Sequence, residues 1–150
     1  MTQDPSASRR VLRRLAWTFA PALAVVTPAL AADYPVFRQG LWEFNRTIES
    51  QGTAALPKAV STRRCIDPTA DMKRQNTMLA KQGCTLSPLT AQGKVFTFTA
   101  ECRLQGAAIR STSVITAERD TAYTLQVTST GSMGTTREKL VARRVGDCKP

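Results

Sequence analysis

Apolar and polar residues alternate with a period of two along most of the chain beyond its first quarter. In residues 41–50, Trp42, Phe44 and Ile48 fall on one face, while acidic, amide and hydroxyl side chains fall on the other. An alternation of this length predicts a half-buried antiparallel strand. Arg46 falls on the apolar face, so we expect its stem to pack at the edge of the core with its charge in water.

One segment of the chain favours a helix instead. Residues 51–60 contain the glycine and proline of a loop, and residues 61–66 can extend as a short strand. Asp67 then offers an N-cap and Pro68 a first-turn proline, which is the usual start of a helix. Good helix formers continue to Lys81, and a glycine follows two residues later. The helix has a weak apolar stripe, which we assign to core packing: Met72, Met78 and Leu79.

From Cys84 to the C-terminus the alternation returns in successive short segments. The segments are residues 84–87, 94–104, 108–117, 123–128 and 137–145. Short strands at regular spacing, separated by glycine-rich or polar turns, indicate an antiparallel meander. The predicted fold is therefore α+β and mostly β, with a curved antiparallel meander sheet of about six strands packed on one helix.

The N-terminus carries a different pattern. Residues 8–14 hold four arginines and no acid, and residues 15–32 are an uncharged run. The run closes on Ala29-Leu30-Ala31, a site that signal peptidase accepts. These three features predict a secretory signal peptide over residues 1–31, cleaved between Ala31 and Ala32. The remaining residues 32–150 have the length of one domain.

Two other readings of this N-terminus lead to different fates for the chain. The 18 uncharged residues could just span a bilayer, but two prolines and a cleavage site disfavour a stable membrane anchor. Ser8-Arg9-Arg10 faintly resembles a twin-arginine signal, yet Arg13 and Arg14 stand where that signal prefers apolar residues. We therefore expect the general secretory route and a periplasmic location.

The predicted mature chain is basic. Cleavage removes four arginines and one aspartate from the 21 basic and 11 acidic residues, which leaves 17 and 10 and a net charge of +7. Such a balance favours an envelope protein or an anionic envelope component as partner, and export makes nucleic acid an unexpected one. The charges are scattered along the chain, so a solvated basic surface without a dedicated site explains them equally well.

All four cysteines lie in the mature part, which predicts two disulfides in an oxidising compartment. A turn centred on Gly93 would place Cys84 opposite Cys102 and leave Cys65 to pair with Cys148. Pairing of Cys65 with Cys84 and of Cys102 with Cys148 stays open as the alternative. The chain has no histidine and no C-x-x-C motif, so we expect neither a zinc site nor a dithiol redox centre.

The ordered motifs resemble a bacterial family known as domain of unknown function 3617. The motifs are Gly40-Leu41-Trp42-Glu43, Cys65-Ile66-Asp67 before the helix, Cys84 after it, the strand that ends at Cys102, and the closing run from Ala142 to Cys148. The resemblance covers nearly all of the mature chain. It implies an exported protein of unassigned activity and supplies no catalytic residue.

The residues favour a binding or structural module over an enzyme. Without histidine a Ser-His-Asp triad cannot form, and neither a phosphate loop nor a cofactor motif is present. The acidic candidates for paired-carboxylate chemistry are Glu43, Glu101, Glu118 and Glu138, which lie on different strands. The alternative function is carriage of a small apolar ligand or lipid. Inward small residues (Ala100, Ser111 and Ser113) would leave room for such a ligand, although a close approach of the helix explains them too.

Overall fold

The computed structural model describes residues 31–51, 58–104 and 106–149. The elements are β1 (Gly40–Ser50), β2 (Lys58–Ile66), α1 (Pro68–Lys81), β3 (Thr85–Leu86), β4 (Thr90–Gln92), β5 (Val95–Leu104), β6 (Ala107–Arg119), β7 (Ala122–Gly131) and β8 (Gly134–Gly146). The predicted signal peptide lies outside the described residues except for its last residue, Ala31. Within the described ranges, no helix has the length and apolar character needed to cross a membrane.

The strands form one antiparallel sheet in the order β2-β1-β8-β7-β6-β5-β3, with β4 beside β5. The mostly β, antiparallel class with one helix is confirmed, but the prediction of about six strands was too low, because the sheet has eight. One added strand, β4, arises because the segment before Gly93 splits into two pieces. Residues 58–60, which were predicted as loop, instead belong to β2.

One face of the sheet carries the core and is called the inner face here. Residues paired across neighbouring strands share a face, so Phe44 on β1, Ala142 on β8 and Tyr123 on β7 lie side by side. Trp42 and Ile115 are almost fully buried on the same face. The Trp42 and Tyr123 rings are 5.7 Å apart, and Phe37, from the segment before β1, lies 4.7 Å from Tyr123.

Two segments cover this aromatic cluster. Residues 31–39 run over it and are held by backbone hydrogen bonds at both ends, from Ala32 N to Leu89 O (2.7 Å) and from Arg38 N to Asp120 O (2.8 Å). The Trp42 indole N–H also donates to Arg38 O at 3.0 Å. The indole therefore buries its large ring without leaving its one donor unsatisfied.

Helix α1 is fixed to the same covering segment. Asp67 caps it by accepting from Ala70 N at 3.1 Å, as its sequence predicted. The Thr69 hydroxyl accepts from Phe37 N (2.9 Å) and donates to Pro35 O (3.0 Å). The prediction of an apolar stripe was partly wrong, because Met72 packs against the core while Met78 is 52% exposed.

A disulfide lies at each edge of the sheet. Cys84 and Cys102 are joined beside β3 with Cα atoms 4.2 Å apart, and Cys65 on β2 is joined to Cys148 with Cα atoms 5.6 Å apart. This is the first of the two pairings considered from the sequence.

The strand register that leads to the Cys84–Cys102 bridge differs from the predicted register by one residue beside the turn. Gln92 pairs with Val95, so the hairpin turn is centred half a residue later than Gly93. An extra residue between β3 and β4 compensates for that shift, and Thr85 again pairs with Glu101. A β-bulge of this kind adds one residue to one strand only. The pairing of Cys84 with Cys102 therefore depends on the bulge as well as on the turn.

Candidate functional site

The inner face has an open half that neither residues 31–39 nor the helix covers. A groove of about 520 Å³ lies there, between α1 and the inner side of β1, β2, β7 and β8. Its floor is apolar and consists of Phe44, Ile48, Leu125 and Leu140, and Val60 on β2 and Met72 on α1 continue the apolar lining at the two sides. The groove is therefore a continuation of the hydrophobic core that remains accessible to solvent.

Strand β2 forms one wall of the groove because of its register on β1. Val60 pairs with Arg46 and Arg64 pairs with Trp42, so alternate residues of β2 project from the inner face. β2 is an edge strand of the sheet, and Val60 is 41% exposed. Its inward side chains thus line a groove instead of entering a closed core.

The groove carries more positive than negative charge. Three of its lining residues are cations, Arg46, Lys58 and Arg64, and Asp71 is the acid among them. Arg46 is paired, because its Nε lies 2.9 Å from Glu138 Oε1. Within the described ranges, Arg64 and Lys58 have no ion-pair partner. Two uncompensated cations therefore border an apolar floor.

Arg64 is held in place by an aromatic ring. Its guanidinium carbon lies 5.2 Å from the centre of the Phe44 ring, a cation–π distance. Stacking of this kind fixes the plane of the guanidinium while its N–H donors stay available. The one acid of the groove, Asp71, is already engaged, since Arg74 forms an ion pair with it and Gln75 Nε2 donates to its Oδ2 at 2.9 Å.

Tyr123 lies at the floor of the groove, beside the aromatic cluster. The residue is 4% exposed, and no hydrogen bond to its hydroxyl is found among the described residues. The pKa of Tyr123 is raised to about 12, mainly by burial and also by the negative charge of Asp71, while the positive charge of Arg64 opposes both effects. The hydroxyl is therefore protonated at any physiological pH and is available as a donor.

The acidic residues singled out from the sequence are each engaged by another side chain. Arg63 Nε donates to Glu43 at 2.7 Å, and this bond is the main reason that the pKa of Glu43 is lowered. Glu101 faces Arg110 at 3.3 Å, and Glu138 pairs with Arg46. Glu118 accepts a hydrogen bond from Thr124 at 3.2 Å. The carboxylates thus act in ion pairs and hydrogen bonds distributed over the sheet.

The inward small residues lie away from the groove. Ala100 and Ser113 are buried, and the Ser111 hydroxyl lies 2.8 Å from that of Ser129. These residues lie in the covered part of the sheet and do not line the groove. The wall residues Lys58 and Val60 were not recognised from the sequence, because residues 58–60 were assigned to a loop. Arg64 fell in the predicted short strand 61–66, to which no face was assigned. The alternation of Val60, Thr62 and Arg64 is the signal for their shared face, but the adjacent Arg63 obscures it. Within the described residues, no group of three or more potential metal ligands lies together.

Residues 37–148 match the family model described as Protein of unknown function (DUF3617). The match includes every strand, the helix and both disulfides. No curated protein and no solved structure is significantly similar to the chain.

Proposed function

The chain belongs to the DUF3617 family, and we propose that it acts as an exported binding module whose ligand occupies the groove on the inner face. In this proposal residues 1–31 are removed as a signal peptide, the domain works in the periplasm, and no reaction is catalysed. The single observation that supports it most strongly is an accessible apolar floor bordered by uncompensated cations.

The size and composition of the groove fit small-molecule binding. A volume of about 520 Å³ falls within the range of about 300–1,000 Å³ that is usual for ligand pockets. Such pockets combine an apolar lining with a few polar groups that fix orientation, and here Arg64, Lys58 and Tyr123 supply those groups. A purely structural module would have no need to leave Val60 and Ile48 uncovered beside its core.

Export is supported by the two disulfides, because such bonds persist in oxidising compartments. The hydrogen bond from Ala32 N to Leu89 O is compatible with cleavage between Ala31 and Ala32. Cleavage there would turn this amide into a free amino group, which still has protons to donate. The covering segment, including Phe37, would be retained in the mature protein.

Carriage of a small apolar ligand or lipid is the second candidate function. The apolar floor favours it, since Leu125, Leu140 and Val60 offer a surface suited to an aliphatic chain. A carrier releases its ligand to an acceptor, whereas a binding module retains it. Transfer of a fluorescent ligand from the protein to acceptor vesicles would therefore separate the two.

The proposal is tested by native mass spectrometry of mature protein purified from periplasm. We expect a population with bound small molecule in the wild type, and loss of that population in Val60→Trp, which fills the groove. Val145→Trp is the matched control, because Val145 is 46% exposed, similar to Val60, and does not line the groove. A wild-type protein that carries no ligand and binds none when amphiphiles are added would refute the proposal.

A further inference from the structure

We infer that the groove takes a single-chain amphiphile with one anionic carboxylate head, held by Arg64 and Tyr123, with its chain running over Leu125 and Leu140 towards Ile48. This inference rests on the proposed function and names the ligand class of the same site. It follows from the distribution of charge and apolar surface along the groove.

The head position is defined by two donors that have no partner among the described residues. Arg64 is stacked on Phe44 at 5.2 Å, and the planar guanidinium can donate two parallel hydrogen bonds to a carboxylate. Tyr123 lines the same groove with its ring buried. Among the described residues no fully buried side-chain N or O atom lacks a hydrogen-bond partner, so the unpartnered Tyr123 hydroxyl is a donor that is accessible from the groove. A carboxylate there would satisfy both donors.

The charge near the head position favours a monoanion over a dianion. Asp71 lines the groove too, and its charge acts on Tyr123 in opposition to that of Arg64. Arg74 and Gln75 engage the Asp71 carboxylate. Because Arg74 is committed to Asp71 and Arg46 to Glu138, Arg64 is the cation near the head position that can balance a ligand charge, and a second ligand charge would have no further cation of its own. Lys58 is six residues from Arg64 along β2, or about 20 Å.

The rest of the groove fits an aliphatic chain. From Phe44 to Ile48 the floor extends about 13 Å along β1, with the stem of Arg46 between these two side chains. Leu125, Leu140 and Val60 continue the apolar surface on neighbouring strands. The far end becomes polar again, because the Arg46–Glu138 ion pair and Lys58 lie there. The apolar stretch is therefore bounded by polar groups at both ends. A free cation lies at each end, but only Arg64 is stacked on an aromatic ring and has a second donor, Tyr123, in the same part of the groove, so we assign the head to that end.

The experiment compares dodecanoate with dodecanol, which has the same chain length and no charge, both added below their aggregation limits to disulfide-intact mature protein. Binding is followed by calorimetry and by the fluorescence of Trp42, which pairs with Arg64 across β1 and β2. We expect dodecanoate to bind at least tenfold more tightly than dodecanol. Arg64→Gln should remove most of that preference, and Tyr123→Phe should weaken dodecanoate about fivefold.

Arg63→Gln is the matched control, because Arg63 is the neighbouring cation of β2 on the other face and pairs with Glu43. It should bind both probes as the wild type does. Equal binding of the two probes, or equal losses in the Arg63 and Arg64 variants, would overturn the assigned head position and leave the proposed function standing. Failure of both probes to bind would overturn the assigned ligand class. Binding that survives Val60→Trp unchanged would place the ligand outside the groove and overturn the proposed function as well.

Discussion

The two halves of the inner face are built on the same strands but differ in what lies over them. In the covered half, Trp42 and Ala142 are fully buried beneath residues 31–39 and α1. In the open half, four residues further along the same strands, Arg46 and Glu138 reach solvent. Strand alternation thus decides which face a side chain joins, whereas the covering segments decide whether it becomes part of the core.

This difference separates stability from binding within one small sheet. The covered half holds the aromatic cluster, in which the Trp42 indole donates its one N–H to Arg38 O. The open half holds uncompensated cations and an accessible apolar floor. We therefore expect substitutions in the covered half to affect mainly unfolding, and those in the open half to affect mainly ligand binding.

The largest effects should come from the disulfides that hold the two ends of the strand order. Replacing Cys65 and Cys148 by serine opens a loop of 83 residues, which the loop-entropy argument converts to a loss of about 4.5 kcal/mol. The same change at Cys84 and Cys102 opens a loop of 18 residues and should cost about 3 kcal/mol. Urea unfolding of both double variants measures the two losses, and the opposite order would contradict the prediction.

A matched pair of isoleucines compares the two halves directly. Ile115 is 2% exposed in the covered half, so Ile115→Ala should lower the free energy of unfolding by about 3 kcal/mol through lost burial and a cavity. Ile48 is half-buried in the open half, and Ile48→Ala should cost about 1 kcal/mol because solvent already reaches it. Chemical denaturation measures both. Equal losses would mean that the open half is covered in solution.

The covered half could be predicted largely from local pattern. The alternation around Trp42 and Phe44 gave the core face of β1, and Asp67 followed by Pro68 gave the start of the helix, because both signals involve residues close in sequence. The family resemblance, stated on the cysteines and on the Gly40 and Cys148 motifs, is confirmed over residues 37–148.

The open half could not be predicted, since it depends on contacts between distant segments. Nothing local to Val60 or Arg64 shows that β2 pairs with β1, and adjacent Arg63 and Arg64 hide the alternation by giving both faces the same charge. The bulge between β3 and β4 is a similar case. It lies beside Leu89, which is buried and whose carbonyl accepts from Ala32 N, a contact between segments far apart in sequence.

Alkaline pH should destabilise the protein through Tyr123, which lies where the two halves meet. Its pKa is raised to about 12 when folded, against about 10 when unfolded, so the unfolded state loses its proton first as the pH rises. The corresponding stability is fully present below pH 10 and is lost between pH 10 and 12, by about 2 to 3 kcal/mol. The difference between wild type and Tyr123→Phe across this window measures the loss.

Absorbance titration gives an independent check of the same group. The chain has two tyrosines, so Tyr34→Phe leaves Tyr123 as the reporter of its own ionisation. We expect a midpoint well above 10, shifted higher still by Arg64→Gln, because the positive charge of Arg64 favours the ionised form. A midpoint near 10 would show that water reaches the Tyr123 hydroxyl freely, so that the groove extends further into the aromatic cluster than in the structure.

The smallest effect should come from the ion pair at the far end of the open half. Arg46 Nε lies 2.9 Å from Glu138 Oε1, with the two side chains 50% and 25% exposed, so water screens most of their attraction. A double-mutant cycle with Arg46→Gln and Glu138→Gln should give a coupling below about 1 kcal/mol that falls further in high salt. The Arg63 and Glu43 pair on the other face, 65% and 27% exposed, is the matched control and should behave alike.

A coupling above about 2 kcal/mol for the Arg46 pair alone would mean that its charges are desolvated, as they would be if the open half were closed over in solution. The size of this one coupling therefore decides whether the groove is a surface that stays open or one that a covering segment occupies.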